Sequence, residues 1–146
     1  MKRLLTSIVA AAVTATALGV TAVSVAQVKR TPAPKGAEVY FIAPADGASV
    51  TSPVTVRFGL KGMGVVPAGL AFEGAGHHHL IVDAKTPPLD APVPSDANHL
   101  HFGKGQTETT VELKPGKHTL QLIVGDQLHI PHDPAVVSKI ITVTVK

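Results

Sequence analysis

The chain has 146 residues, of which thirteen are basic, ten are acidic and none is cysteine. The lack of cysteine excludes disulfide bonds, thiol catalysis and thiolate metal sites such as blue copper. Two of the basic residues, Lys2 and Arg3, lie in the N-terminal segment that is predicted below to be a signal peptide. The other eleven basic residues nearly balance the ten acidic residues, so the net charge indicates no nucleic-acid partner.

The first 26 residues have the features of a secretory signal peptide. A basic start precedes an uncharged, mostly apolar run from Leu4 to Ala26, and Ser24 and Ala26 are the small residues that a cleavage site needs. We therefore predict cleavage before Gln27 and a periplasmic or secreted protein without a membrane attachment. The alternative is an uncleaved membrane anchor, because about 20 apolar residues can span a bilayer.

Residues 27–36 contain two prolines and three basic residues and predict a flexible lead-in. Short strands, broken by glycine and proline, follow to the end of the chain. Their predicted bounds are 37–42, 53–60, 77–83, 107–113, 117–124 and 136–145. Apolar and polar side chains alternate in several of them, and no sustained helical period appears. We predict that residues 37–146 form one all-β domain, an antiparallel immunoglobulin-like β-sandwich.

Three segments between these strands are predicted loops. Residues 62–76 are rich in glycine, residues 125–134 carry two histidines, and residues 85–98 contain four prolines. Four prolines are too many for a regular element, and a long irregular loop in a compact domain is usually functional or mobile.

The histidines carry the strongest functional signal. All eight lie between residues 77 and 132, mostly in three short clusters. Side chains alternate along a strand, which places the first and third residues of His77-His78-His79 on one face, and His99 and His101 form a similar pair. If these two strands pair, four imidazoles share a face, and the loop of residues 125–134 can complete a metal site. The predicted metal ligands are His77, His79, His99, His101, His129 and His132.

We predict roles other than metal binding for His78 and His118. His78 points to the opposite face, together with Leu80 and Val82. His118 precedes Leu120 in phase and begins a core-facing row, where many such sandwiches hold an aromatic residue hydrogen-bonded to the chain. We therefore predict a structural role for His118.

A metal-free interpretation of the clusters is also open. Buried histidines can bridge backbone carbonyls and aspartates, and Asp83, Asp126 and Asp133 are near in sequence. A metal ion would satisfy several desolvated imidazoles at once, which favours the metal site. A ligand set of nitrogen and oxygen favours Cu²⁺ or Zn²⁺, with Ni²⁺ also possible by ligand type, over soft Cu⁺.

Four stretches, GHHHLIVD, PSDANHLHFGKGQTETTVEL, PGKHTLQLIVGD and HIPHDP, resemble the bacterial family called domain of unknown function 4399, or DUF4399. The resemblance extends over about residues 44–146 and includes every histidine. It implies membership of a family without a settled activity, so it adds no function to the prediction.

The leading hypothesis is an exported, histidine-rich domain that binds Cu²⁺ or Zn²⁺ as a carrier, buffer or sensor. One alternative is a metal-dependent enzyme whose histidine-bound ion keeps an open coordination position. The other is a metal-free interaction module of the cell envelope whose histidines form a structural network. The expected partner is the metal ion, and the sequence indicates no particular protein partner.

Overall fold

The computed structural model describes residues 29–146, so the predicted signal peptide lies outside the described residues. Within this range the chain forms nine β-strands and no helix, and therefore no helix that could cross a membrane. The strands are β1 (Glu38–Ala43), β2 (Ser49–Val50), β3 (Val54–Lys61), β4 (Gly64–Val65), β5 (Ala75–Val82), β6 (His99–His101), β7 (Glu108–Val111), β8 (Gly116–Gly125) and β9 (Ile141–Val145).

The strands form two sheets. The smaller sheet has the order β1-β3-β7, and all its pairings are antiparallel. The larger sheet has the order β2-β9-β8-β5-β4, and β6 also pairs with β5. Within it β5–β6, β5–β8 and β8–β9 are antiparallel, whereas the two-residue strands β2 and β4 pair in parallel. The first predicted metal ligands, His77 and His79, lie on β5, and its neighbours in the sheet carry or adjoin the others.

One apolar core fills the space between the sheets. On β3 the alternating residues Val54, Val56 and Phe58 are buried, and they belong to the same cluster as Leu80 on β5 and Leu122 on β8. Alternation of this kind is what a strand with one buried face requires. Since the domain has no disulfides, this core must supply most of its stability.

The outer face of the larger sheet is covered as well. A second apolar cluster joins Ile81 of β5 and Ile123 of β8 to Val93 of the proline-rich loop. Every residue of β5 is consequently buried, although its sequence contains three histidines. The loop of residues 85–98 thus helps to cover the face on which His77 and His79 lie.

The structure confirms the predicted all-β sandwich. It differs in detail, because the predicted loop 62–76 contains β4 and the start of β5. The last strand begins at Ile141 rather than at residue 136. Just before it, the chain pairs irregularly with β8: the Val124 N–H donates to the Val136 carbonyl (3.0 Å) and the Ser138 N–H to the Leu122 carbonyl (2.9 Å).

Candidate metal centre

Strand β6 brings the second histidine pair beside the first. The antiparallel register places His101 directly opposite His79, and residues opposite each other in such a pair project to the same face. Phe102 anchors this short strand, because its ring packs on Phe58 with centroids 4.8 Å apart. Its N–H also donates to the His78 carbonyl (3.1 Å).

Four imidazoles converge on this outer face. His77, His79, His101 and His129 each offer one nitrogen, and these four atoms all lie within 4.8 Å of one another. The Nε2 atom of His77 lies 3.0 Å from Nε2 of His79 and 3.1 Å from Nδ1 of His129. We call these residues the histidine tetrad.

The two contacts around His77 have the spacing of ligands to one metal ion. With metal–nitrogen distances of about 2.0–2.1 Å, two ligand nitrogens lie about 2.9 Å apart at a right angle and about 3.4 Å apart at the tetrahedral angle. The contacts of 3.0 and 3.1 Å around His77 lie within this range. The tetrad supplies neither carboxylate nor sulfur, and imidazole is a ligand that suits zinc and copper.

Hydrogen bonds between the rings cannot account for all of these contacts. A ring nitrogen of neutral imidazole carries either one proton or one lone pair, so His77 Nε2 can satisfy one of its two close neighbours but not both. The Nδ1 atoms of His77 and His79 are buried and have no hydrogen-bond partner among the described residues. Carbonyls and carboxylates therefore do not hold these two rings, as the metal-free interpretation would require.

The environment keeps the inner rings neutral. Burial is the main cause that lowers the pKa of His77 to about 4, and the neighbouring His101 and His129 lower it further. Burial, followed by the proximity of His77, lowers the pKa of His79 to about 3. The pKa of His101 is also lowered, by burial and by His129. At neutral pH these rings carry free lone pairs, which is the form that binds metal.

His129 reaches the tetrad through an unusual backbone conformation. Its φ angle is +65°, in the left-handed region that non-glycine residues seldom occupy. The surrounding loop holds it there, because its N–H donates to the Asp126 carbonyl (2.9 Å) and its carbonyl accepts from the Val93 N–H (2.9 Å). Strain of this kind persists only where the surroundings fix it, and it is concentrated at functional sites.

Two glycines leave room for the imidazoles. A Cβ atom at Gly125 would lie 3.0 Å from His79 Nε2, and one at Gly103 would overlap the ring of His101. Gly125 stands directly opposite His77 in the β5–β8 register. A side chain at either position would displace a ring of the tetrad.

Two of the six predicted ligands lie outside the tetrad. His99 shares its face of β6 with His101 but stands opposite Ile81, and its Nδ1 is 2.8 Å from an Asp96 carboxylate oxygen. His132 is fully buried beside Gly76, on the other face of β5. The structure therefore assembles His77, His79, His101 and His129, and it does not bring His99 or His132 to them.

The other two histidines occupy separate environments. His78 is fully buried, its ring centroid lies 5.1 Å from that of Phe58, and burial lowers its pKa to about 4. His118 bridges Asp83 (2.6 Å) and the Lys114 carbonyl (2.7 Å), and both hydrogen bonds raise its pKa, the one to Asp83 more. With both ring nitrogens engaged, His118 has no lone pair for a metal.

The sequence pattern did not point to the residues that shape the site. Gly125 appeared only as the first residue of a predicted loop, Gly103 only within a stretch that resembles the family, and Asp126 only as a possible partner of a buried histidine. A histidine loop that directly follows an aspartate at the end of a strong strand is the signal that could have pointed to Asp126.

The comparisons with known proteins place the chain in a family. A search of curated proteins and a search of solved structures each found no match. A family model described as "Domain of unknown function (DUF4399)" matches residues 56–146, a range that contains the whole histidine tetrad. The chain belongs to the DUF4399 family.

Proposed function

We propose that this protein is exported and binds one divalent transition-metal ion, Cu²⁺ or Zn²⁺, as a carrier or buffer. The histidine tetrad carries the proposal: four ring nitrogens converge within 4.8 Å, on a face where two of the rings are buried and held neutral. The signal-peptide features of residues 1–26 support export, and because the chain has no cysteine, imidazoles rather than thiolates would hold the ion.

A matched pair of variants on β6 tests the site. His101→Gln removes a member of the tetrad, whereas His99→Gln alters a neighbour two residues away that pairs with Asp96. The affinities of untagged proteins for Cu²⁺ and Zn²⁺ are measured by competition with a chromophoric chelator. We expect His101→Gln to weaken binding at least tenfold, because even the loss of a group that only orients a ligand costs about 10–100-fold, and we expect His99→Gln to bind like the wild type. Equal affinities in all three proteins would contradict the proposed site.

A metal-dependent enzyme is the second candidate, and one observation favours it. His101 stands at the edge of the sheet and is the most exposed member of the tetrad, so solvent can approach a bound ion from its side. Catalytic sites keep a coordination position open, whereas structural sites close it. Azide added to the Cu²⁺-loaded protein distinguishes the two: a new ligand-to-metal absorption band indicates an open position, and an unchanged spectrum favours the carrier.

A further inference from the structure

The segment of residues 30–33 lies against the loop that carries His129. The Arg30 Nε–H donates to the Pro131 carbonyl (3.0 Å), and the guanidinium also donates to the His132 carbonyl and to the Asp133 carboxylate. The Asp133 N–H donates to the Thr31 carbonyl, and the Ala33 N–H to the Asp133 carbonyl, each at 2.9 Å. This segment belongs to the lead-in that the sequence predicts to be flexible.

A second connection runs from Thr31 to the other end of the loop. The Thr31 hydroxyl donates to Oδ2 of Asp126 (2.7 Å), a carboxylate that is only 3% exposed. The second oxygen, Oδ1, accepts from the N–H groups of Leu128 (2.9 Å) and Ile130 (3.0 Å). These two residues flank His129, so one buried carboxylate fixes the backbone on both sides of the ligand.

We propose that residues 30–33 act as a latch that positions His129 in the tetrad, so that docking of this latch and metal binding strengthen each other. The inference rests on the metal site proposed above. His129 needs a φ of +65° to reach the other rings, and the loop holds that conformation through Asp126, to which Thr31 is bound. Coupling between two binding events is reciprocal: whatever factor the latch adds to metal affinity, the metal adds to docking of the latch.

The first test measures metal affinity in latch variants that leave every tetrad residue intact. Thr31→Val removes the hydroxyl that reaches Asp126, and Thr31→Ser restores it. Thr86→Val is the matched control, because the Thr86 hydroxyl also donates to a side-chain oxygen at 2.7 Å, that of Gln121. We expect about a tenfold weaker affinity for Thr31→Val, the effect typical of groups that orient a ligand, and wild-type affinity for Thr31→Ser and Thr86→Val.

Arg30→Gln gives an independent measurement at the other end of the latch. Its matched control is Arg57→Gln, which breaks an exposed ion pair with Glu108 on the smaller sheet. Arg30→Gln should weaken metal binding, whereas Arg57→Gln should not. Urea unfolding of the metal-free proteins accompanies the titrations, because a purely structural role would lower stability and leave the metal affinity of the folded protein unchanged.

The second test measures whether metal binding favours docking of the latch. We expect trypsin to cut after Arg30 only when the latch is open, because the docked guanidinium donates to the loop. The cut after the exposed Lys61, at the end of β3, serves as the reference. Saturating Zn²⁺ should slow the cut after Arg30 severalfold more than the cut after Lys61, as mass spectrometry of the products would show.

The outcomes separate the two proposals. Failure of the wild type to bind metal would overturn the proposed function and the latch together. Metal binding by the wild type, with wild-type affinity in Thr31→Val and Arg30→Gln and equal protection of both tryptic sites, would overturn the latch alone.

Discussion

Replacement of Gly125 by alanine tests whether the site depends on space beside its nitrogens. The new Cβ would lie 3.0 Å from His79 Nε2 and 3.2 Å from the Cα and carbonyl carbon of His129, closer than ordinary van der Waals contacts. Two members of the tetrad must therefore move apart. Overpacking of this kind costs about 1–3 kcal/mol. If that cost falls on the metal-bound state, metal affinity drops about fivefold to 150-fold.

The assay is competition with a chromophoric chelator at pH 7.5, together with urea unfolding of the metal-free protein. Gly64→Ala is the control, because its Cβ would meet only the Cβ of Ala75, at an ordinary 3.5 Å. Wild-type metal affinity in Gly125→Ala would refute the reasoning, since it would mean that the ligand nitrogens do not lie where the structure places them.

Three further predictions concern pH and the histidines outside the tetrad. Burial lowers the pKa of His78 to about 4, so below pH 6.5 the unfolded chain binds a proton at His78 that the folded protein excludes. The free energy of unfolding of the metal-free protein should therefore decrease as pH falls from about 6.5 to 4, and His78 should account for on the order of 3 kcal/mol of that decrease. Urea titrations at a series of pH values measure it. His118→Ala should destabilise the metal-free and metal-bound proteins alike by about 1–3 kcal/mol, because His118 contributes hydrogen bonds to Asp83 and to the Lys114 carbonyl. Metal affinity in the chelator assay should not change, because His118 is not a ligand. Because burial lowers the pKa of His77 to about 4 and that of His79 to about 3, these two rings should compete with Zn²⁺ for protons only well below pH 6.5, where ordinary imidazoles already bind protons. Zn²⁺ affinity in the chelator assay should therefore fall less steeply just below pH 6.5 than four ordinary imidazoles would make it fall, and a fall of that full steepness would show that these rings are not buried.

The pH dependence also has an opposing contribution. The raised pKa of His118 means that its contribution to stability is complete below pH 6.5 and is lost as pH rises through the higher pKa of the folded state. His118→Ala should therefore remove a loss of stability on the alkaline side and leave the acid-side loss intact.

Alternation predicted much of the fold and half of the site. The pattern of Val54, Val56 and Phe58 identified a strand with one buried face, and the same rule placed His77 and His79 together. Periodicity says which face a residue takes but not which residue stands opposite. A shift of two residues in the β5–β6 register would leave every face unchanged and put a different histidine beside His79.

Periodicity could not predict which residues the loop of residues 125–134 contributes to the metal site. His129 and His132 lie in a turn, where the direction of a side chain depends on individual φ angles rather than on a repeat. Hydrogen bonds to Asp126 and Thr31 set those angles, and Thr31 is distant in sequence. Long-range contacts of this kind leave no local pattern in the chain.

X-ray absorption of the Zn²⁺-loaded, untagged protein tests the central claim most directly, because it counts the donors around the ion. We predict one ion per chain, four nitrogen donors at about 2.0–2.1 Å with the scattering pattern of imidazole, and the loss of one imidazole in His101→Gln. A shell made mainly of oxygen donors that the substitution leaves unchanged, or a protein that retains no metal, would contradict it.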